Sequence, residues 1–168
     1  MSFTSQHLYF DDVEVSQQWE SPGRTVTETD IVNFAGLSGD FNPIHLDHEF
    51  ARSTPFHGPI AHGLLVFSIG SGLTLFSPPM RTMAFVGIRD WQLKEPVFIG
   101  DTLRVKTRLA EKEVRARGRR AILTWHRQIV NQEGKVVQEG IVQTIVEGRG
   151  TPAARRDAAA ADESQPSA

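Results

Sequence analysis

The pattern of hydrophobic and polar positions divides the chain into two parts. Residues 1–80 carry helix and loop signals, whereas residues 81–147 carry strand signals. In the second part apolar residues recur at every other position, which is the period of a strand with one buried face. Strands are predicted at 83–88, 103–109, 121–129 and 136–146, with a hairpin signal at 131–134. We therefore expect a run of antiparallel strands.

Two short helices and a polar loop are predicted early in the chain. The first helix runs from about residue 30 to 36, and either Thr27 or Thr29 would cap it, because a side-chain oxygen there can accept an unpaired N–H. The loop over 38–45 contains glycine, asparagine and proline, which argue against regular structure. A second short helix is expected over 46–53.

The longest apolar stretch, residues 60–76, is predicted to form a helix. Pro59 would suit its first turn, and the sequence Ser77-Pro78-Pro79 would end it. Polar and glycine residues interrupt the stretch, so a buried helix explains it better than a membrane span of about 18 or more apolar residues. It is apolar nearly all round, so other elements should enclose it. The expected fold is α+β, an antiparallel sheet wrapped around one long central helix.

Composition limits the functional classes. The chain has 168 residues, 39% of them hydrophobic, enough for one domain with a real core. A net charge of −2 gives no reason to expect nucleic acid or an anionic membrane as partner. The absence of cysteine excludes a disulfide and a thiolate nucleophile. No basic stretch followed by an apolar one opens the chain, so we expect no secretory signal and a cytoplasmic location.

The C-terminal segment differs from the rest of the chain. Residues 149–168 are dominated by alanine, charge and proline, without any aromatic residue, leucine, isoleucine or valine. Such a segment cannot bury enough apolar area to offset the entropy lost on ordering. We therefore expect one folded domain over 1–148 and a disordered tail over 149–168.

Candidate chemistry is concentrated in the loop over 38–45. Asp40 and His45 lie five residues apart with a bend at Pro43, so their side chains can converge. A carboxylate and an imidazole in proximity can hold a water molecule and move protons at neutral pH. The alternative is an ordinary loop, in which Asp40 and Asn42 bond backbone donors and His45 is a packing residue.

Gly63, near the start of the apolar helix, is a second candidate. Backbone N–H groups at a helix start are unpaired and carry partial positive charge, so they can stabilise an oxyanion. Glycine would let a substrate carbonyl approach without a Cβ in the way. The alternative is that Gly63 only permits close packing of the helix on the sheet.

These residues carry a resemblance to a known family. The stretch from Phe34 to Ala51, containing GDFNPIH, and the later PIAHG ending at Gly63 resemble the signature of the MaoC-like dehydratases and R-specific enoyl-CoA hydratases. The similar region spans about thirty residues without a gap, and weaker similarity extends over most of 10–147. The resemblance implies a single hotdog domain, and syn addition of water to a trans-2-enoyl thioester.

The resemblance also implies roles for individual residues. Asp40 and His45 would bind and activate the water as base and acid, and the backbone N–H of Gly63 would hold the thioester oxygen. Three further residues fall on the substrate-binding part of the family's site: Asn42, which would shape the loop, His62 at the helix start, and Ser71 at the pocket wall.

Partners and cofactors follow from the resemblance as well. The substrate would be an acyl-CoA thioester, with neither a metal nor a separate cofactor, and the chain would form a homodimer through its sheet. The isolated histidines lack metal-ligand spacing. A basic turn could meet the CoA phosphates, or could simply be a solvated hairpin tip; its residues are Arg115, Arg117, Arg119 and Arg120.

Two alternatives to a hydratase remain at this stage. A hotdog thioesterase could use the same oxyanion donor, but it usually calls on a carboxylate in or facing the central helix, and no Asp or Glu lies in 51–79. A non-catalytic acyl-CoA-binding protein would have no reason to keep both Asp40 and His45. The acyl group stays open; a dicarboxylic one would require a cation in the pocket, for which Arg81 and Arg89 are candidates.

Overall fold

The computed structural model describes residues 7–151, and an antiparallel sheet forms the largest part of it. The strands follow the order β1-β4-β5-β6-β3, with β2 pairing beside β4. Their bounds are β1 Gln18–Glu20, β2 Arg24–Thr25, β3 Thr82–Leu93, β4 Thr102–Arg115, β5 Arg120–Val130 and β6 Val136–Glu147. The four long strands confirm the predicted strand region and the α+β class, and each extends beyond its predicted bounds.

In the described part of the chain, four α-helices precede the long strands. They are α1 Glu28–Ser38, α2 Pro43–Leu46, α3 His48–Arg52 and α4 Gly63–Leu73. Thr27 caps α1, accepting the N–H of Asp30 at 3.2 Å while the Asp30 carboxylate accepts the N–H of Thr27 at 2.8 Å. Of the two predicted caps, Thr27 is therefore confirmed. Short 3-10 turns occur at Phe10–Asp12, Thr74–Phe76 and Ala116–Gly118.

The central helix α4 is shorter than predicted at both ends, because it begins at Gly63 and not near Pro59, and it passes into a 3-10 turn after Leu73. The chain before it is extended: Ile60 forms a bridge with Phe98, and the N–H of Ala61 donates to the carbonyl of Val97 at 2.8 Å. These bonds to partners distant in sequence hold the segment in an extended conformation. Apolar composition alone did not distinguish this extended segment from the helix that follows.

The loop over 38–45 is also more regular than predicted. Asn42 caps the single turn of α2, since its Oδ1 accepts the N–H of Ile44 at 3.2 Å. Asp47 then caps α3 by accepting the N–H groups of Glu49 and Phe50. The predicted helix over 46–53 therefore begins two residues late, at His48.

The core lies between α4 and the sheet. One cluster joins Val66 and Ile69 of α4 to Val105 and Ile129 of the sheet, and a second surrounds Trp125. At Gly70 the helix approaches closely, because a Cβ there would lie 2.5 Å from the Cδ1 of Ile129. This burial of one helix face supplies the apolar area that drives folding.

Enclosure of the helix is incomplete in the single chain, contrary to the expectation from its composition. Leu64 on α4 is 70% exposed, and Leu75 just beyond the helix is 65% exposed. The edge strand β3 is similarly uncovered; its exposed apolar residues are Met83, Phe85, Val86, Ile88 and Leu93. Within residues 7–151, no helix is long and apolar enough to cross a membrane.

The end of the described chain still contacts the fold. Arg149 forms an ion pair with Asp12 at 2.7 Å, and its N–H donates to Asp11. The rest of the predicted tail, 152–168, lies outside the described residues. Its disorder, and the boundary at 148, stay predictions.

Candidate active site

The loop that carries Asp40 is held by local hydrogen bonds. Helix α1 ends at Ser38, and Gly39 follows it with a left-handed φ of 76°, which costs little for glycine and reverses the chain. The N–H of Asp40 then donates to Ser38 Oγ at 3.2 Å, and the N–H of Asn42 donates to Asp40 Oδ1 at 3.3 Å. These bonds leave Asp40 Oδ2 directed at the histidines described next. The side chain of Asp40 is 53% exposed, so solvent reaches it.

His45 lies on α2 and is buried. Its Nδ1 is 2.7 Å from the carbonyl oxygen of Ile60, so the hydrogen is on Nδ1 and the ring donates it to that oxygen. In the neutral ring Nε2 therefore carries the lone pair. Nε2 lies 3.9 Å from Asp40 Oδ2, too far for a direct hydrogen bond. A water molecule beside this gap could bond both groups.

His62 contacts both Asp40 and His45. Its ring stacks on that of His45 with centroids 3.7 Å apart and planes 28° apart. Its Nε2 donates to the backbone carbonyl of Asp40 at 3.0 Å, which ties the loop to the residue before α4. Its Nδ1 is buried and has no hydrogen-bond partner among the described residues. His62, predicted as a substrate-binding residue, thus contacts both members of the candidate pair.

The environment lowers the pKa of His45. Burial is the largest cause, since it penalises the imidazolium, and the neighbouring His62 lowers the pKa further. The Ile60 carbonyl and the Asp40 carboxylate act in the opposite direction. A lowered pKa keeps His45 neutral at pH 7, so Nε2 can accept a proton.

Gly63 is the first residue of α4, and no side chain caps the helix. The N–H of Gly63 is therefore one of the N–H groups that have no partner within the helix, and it lies next to His62. Gly63 also permits close packing: a Cβ there would lie 1.9 Å from Leu93 Cδ2, and its carbonyl accepts Gln138 Nε2 at 2.9 Å. The close packing at this glycine is thus confirmed, and its role as an oxyanion donor stays a prediction.

The other predicted site residues lie at different distances from this centre. Asn42 shapes the loop through its cap on α2. Ser71 is half-buried on α4, about 12 Å along the helix from Gly63. The basic turn at 115–120 is about 30 Å along β5 from Ile129, which favours a solvated hairpin tip over a CoA site within one chain.

A metal ion does not fit this cluster well. Asp40, His45 and His62 each place one potential ligand atom within 4.8 Å of the others. However, His62 Nε2 carries the hydrogen that it donates to the Asp40 carbonyl. The lone pair of the neutral His62 ring is then on Nδ1, which is buried, so Asp40 and His45 Nε2 are the two potential ligands that remain. That the site holds no metal stays a prediction, supported by this donor set.

One buried cation was not considered in the sequence analysis. Arg127 lies on β5 between Trp125 and Ile129, both of which face the core. The same every-other-residue pattern that predicted this strand assigns Arg127 to its buried face. By contrast Arg81, a predicted pocket cation, pairs with Glu147 at 3.3 Å, and Arg89 lies exposed on β3.

An antiparallel sheet around one helix, with a carboxylate and an imidazole at the helix start, defines a hotdog domain with an acid–base site. A family model described as a MaoC like domain matches residues 13–128, more than half of the chain. The chain belongs to this family, and it is an enzyme of the hydro-lyase class, as its curated relatives are.

Individual relatives agree with this assignment. The chain is 39% identical over 112 residues to the (R)-specific enoyl-CoA hydratase of Aeromonas caviae, covering 66% of this chain and 79% of that protein. It is 33% identical over 146 residues to the (R)-specific enoyl-CoA hydratase of Rhodospirillum rubrum, covering 84% and 94%. A solved MaoC-like dehydratase from Rhodospirillum rubrum has a TM-score of 0.74 at 29% identity, covering 86% and 99%. The chain spans only 32% of protein MaoC from Klebsiella aerogenes.

Proposed function

We propose that this protein is an R-specific enoyl-CoA hydratase and 3-hydroxyacyl-CoA dehydratase, which adds water reversibly and syn to a trans-2-enoyl thioester. The observation that carries the proposal is the fixed tautomer of His45. Because its Nδ1–H is bonded to the Ile60 carbonyl, Nε2 presents a lone pair beside Asp40 Oδ2. The similarity to the two (R)-specific hydratases supports the same reaction.

The geometry suggests a division of the chemical steps. Asp40 and His45 Nε2 each accept one O–H of a water molecule, and the Gly63 N–H donates to the thioester oxygen. As the water oxygen bonds to Cβ, one of its protons passes to Nε2, and charge accumulates on the thioester oxygen. The proton on Nε2 is then delivered to Cα on the same face. One water is consumed, and no redox change occurs.

Hydration of crotonyl-CoA, followed by the loss of enoyl-thioester absorbance, tests the proposal. Asp40→Asn and His45→Gln should each lower kcat/KM by about 10²–10⁴-fold, the range for an acid–base group. His48→Gln is the matched control, because His48 is an exposed histidine paired with Glu28 outside the site. Full activity in both site variants would refute the assignment. Oxidation of the product by an S-specific dehydrogenase would refute the R configuration.

Two other functions give different results in the same assay. A thioesterase would release free CoA thiol, which a thiol reagent detects; the described helix α4 carries no carboxylate to support that reaction. A non-catalytic acyl-CoA-binding protein would bind the thioester without turnover. Either result would replace the hydratase proposal.

We further propose that the active form is a homodimer paired through the β3 edge. Within one chain β3 has a single neighbour, β6, and it exposes apolar side chains on both faces. An open apolar edge is a template for pairing with another strand. Ile88 on β3 is 45% exposed, and Ile88→Lys should make the protein a monomer, measured by light scattering. Lys106→Glu, on the solvent face of β4, is the control and should leave the dimer intact. A dimeric Ile88→Lys protein would refute this pairing.

A further inference from the structure

Arg127 occupies a core-facing position in the middle of the sheet. It pairs with Thr107 of β4 on one side and with Gly140 of β6 on the other. Residues two apart on a strand share a face, and the neighbours of Arg127 on this face, Trp125 and Ile129, are each 1% exposed. Arg127 thus lies between the two hydrophobic clusters, where an arginine is seldom found without a partner.

The guanidinium of Arg127 has no partner. Neither a hydrogen bond nor an ion pair links it to any residue in 7–151, and its Nε is fully buried. The Oγ1 of Thr107, directly opposite, is also buried and unpartnered. The side chain keeps partial exposure, so its terminal nitrogens reach accessible space.

Such an arrangement is costly in the free protein. Desolvation lowers the pKa of Arg127 to about 10, so the group remains a cation at neutral pH. A buried cation without a counter-ion destabilises a fold. A planar guanidinium with free donors matches the geometry of a carboxylate, which it can bind through two parallel hydrogen bonds.

The sheet register brings Arg127 near the candidate thioester site. Gln138 of β6 donates to the carbonyl of Gly63, the proposed oxyanion donor. Gly140 follows two residues later on the same face, about 7 Å along the strand. Arg127 is directly opposite Gly140, at about 5 Å between Cα atoms. The side chain of Arg127 can therefore reach a short acyl group whose thioester oxygen is bound by the Gly63 N–H.

Aromatic side chains lie beside this position. A Cβ on Gly140 would lie 2.8 Å from both Cα and Cε3 of Trp91, so the glycine lets Trp91 lie against β6 beside Arg127. Trp91 in turn makes an edge contact with Phe67 of α4, at 4.7 Å between centroids. The side chains beside Arg127 on this side are thus aromatic, and Arg127 supplies the cation.

From this cluster we infer that Arg127 binds a second carboxylate, carried by the acyl group of a short dicarboxylic thioester such as fumaryl-CoA. The inference rests on the proposed function, because the proposed function places the thioester oxygen at the Gly63 N–H. Thr107 Oγ1 donates a further hydrogen bond to the same carboxylate. Arg127 is then a specificity-determining residue, and Asp40 and His45 perform the same chemistry on neutral and anionic acyl groups.

Binding of two saturated thioesters tests the inference without turnover. Succinyl-CoA and butyryl-CoA have the same chain length and differ by a carboxylate in place of a methyl group. Calorimetry should show that the wild type binds succinyl-CoA at least tenfold more tightly, and that Arg127→Gln abolishes this preference. Arg108→Gln, an exposed arginine on the opposite face of β4, should retain it. An unchanged preference in Arg127→Gln would overturn the inference.

Kinetics and stability distinguish the remaining explanations. Wild type should hydrate fumaryl-CoA with a higher kcat/KM than crotonyl-CoA. Arg127→Gln should lower the value for fumaryl-CoA about 10²-fold, as expected for the loss of hydrogen bonds to a charged group, and should leave the value for crotonyl-CoA unchanged. If neither thioester is hydrated but the binding preference persists, the hydratase proposal fails and the carboxylate site stands. Arg127→Gln should unfold at the same or higher denaturant concentration. A structural role for Arg127 would give a different result: Arg127→Gln would be less stable or monomeric, and its kcat/KM would fall equally for fumaryl-CoA and crotonyl-CoA. That result would overturn the inference.

Discussion

Replacing Gly63 by proline separates the two roles that this residue has in the structure, oxyanion donor and close-packing position. Proline lacks the N–H but suits the first position of a helix, where that N–H is unpaired. The preceding residue His62 has φ −58° and ψ 134°, which is the extended region that a residue before proline prefers. The backbone therefore accepts proline at 63 without losing α4.

The side chain of Leu93 is the obstacle to this substitution. A Cβ on Gly63 would lie 1.9 Å from Leu93 Cδ2 and 3.3 Å from its Cγ, and such overpacking costs about 1–3 kcal/mol. Leu93 is 61% exposed, so removing the buried part of its side chain costs about 1 kcal/mol. Leu93→Ala therefore provides a background in which either residue fits at 63.

The comparison is between Gly63→Ala and Gly63→Pro, both in the Leu93→Ala background. Both add a Cβ, and only proline removes the N–H. For hydration of crotonyl-CoA, the alanine variant should keep kcat within a few-fold of its background. The proline variant should lose about 10²–10³-fold, the cost of one oxyanion donor. Circular dichroism and denaturant unfolding confirm that both are folded. Equal kcat in the two variants would show that Gly63 serves packing alone.

Two further predictions concern the pH profile and the cap of α1. Because His45 must be neutral to accept a proton and its pKa is lowered from 6.5, the acidic limb of kcat/KM should have its midpoint below pH 6.5; a midpoint above 6.5 contradicts this role. The unfolded chain binds a proton on His45 more readily than the folded chain, so the free energy of unfolding should fall as the pH drops from 6.5 towards the folded pKa, an effect absent in His45→Gln. Thr27→Ala removes the side chain that accepts the Asp30 N–H and should cost about 1 kcal/mol in urea unfolding, whereas Thr29→Ala, which is not the cap, should cost less.

The fold was largely predictable because its strands have one buried face. The alternation in 103–109 and 121–129 follows directly from the geometry of β4 and β5. The start of α4 was not predictable in the same way. Residues 59–62 are apolar enough for a helix, but their backbone bonds go to partners distant in sequence, at Ile44 and Val97. Local pattern carries no information about such bonds.

The candidate site was predictable in its members but not in its geometry. Spacing brought Asp40 and His45 together as candidates, and Gly63 became a candidate as the glycine near a predicted helix start; the resemblance then implied their roles. The contacts that fix them come from elsewhere: the Ile60 carbonyl sets the tautomer of His45, and His62 joins the loop to α4. Both contacts depend on how the extended segment before α4 crosses the loop, which is a tertiary feature.

Arg127 shows the opposite case, in which the sequence pattern contained the information. Every odd position from Ala121 to Ile129 in β5 faces the core, and all but Arg127 are apolar. A cation at one position of such a series conflicts with burial, and conflicts between local pattern and global fold concentrate at functional sites. The sequence analysis instead named Arg81 and Arg89 as candidates for a pocket cation. Arg81 pairs with Glu147, whereas Arg127 has no counter-ion among residues 7–151.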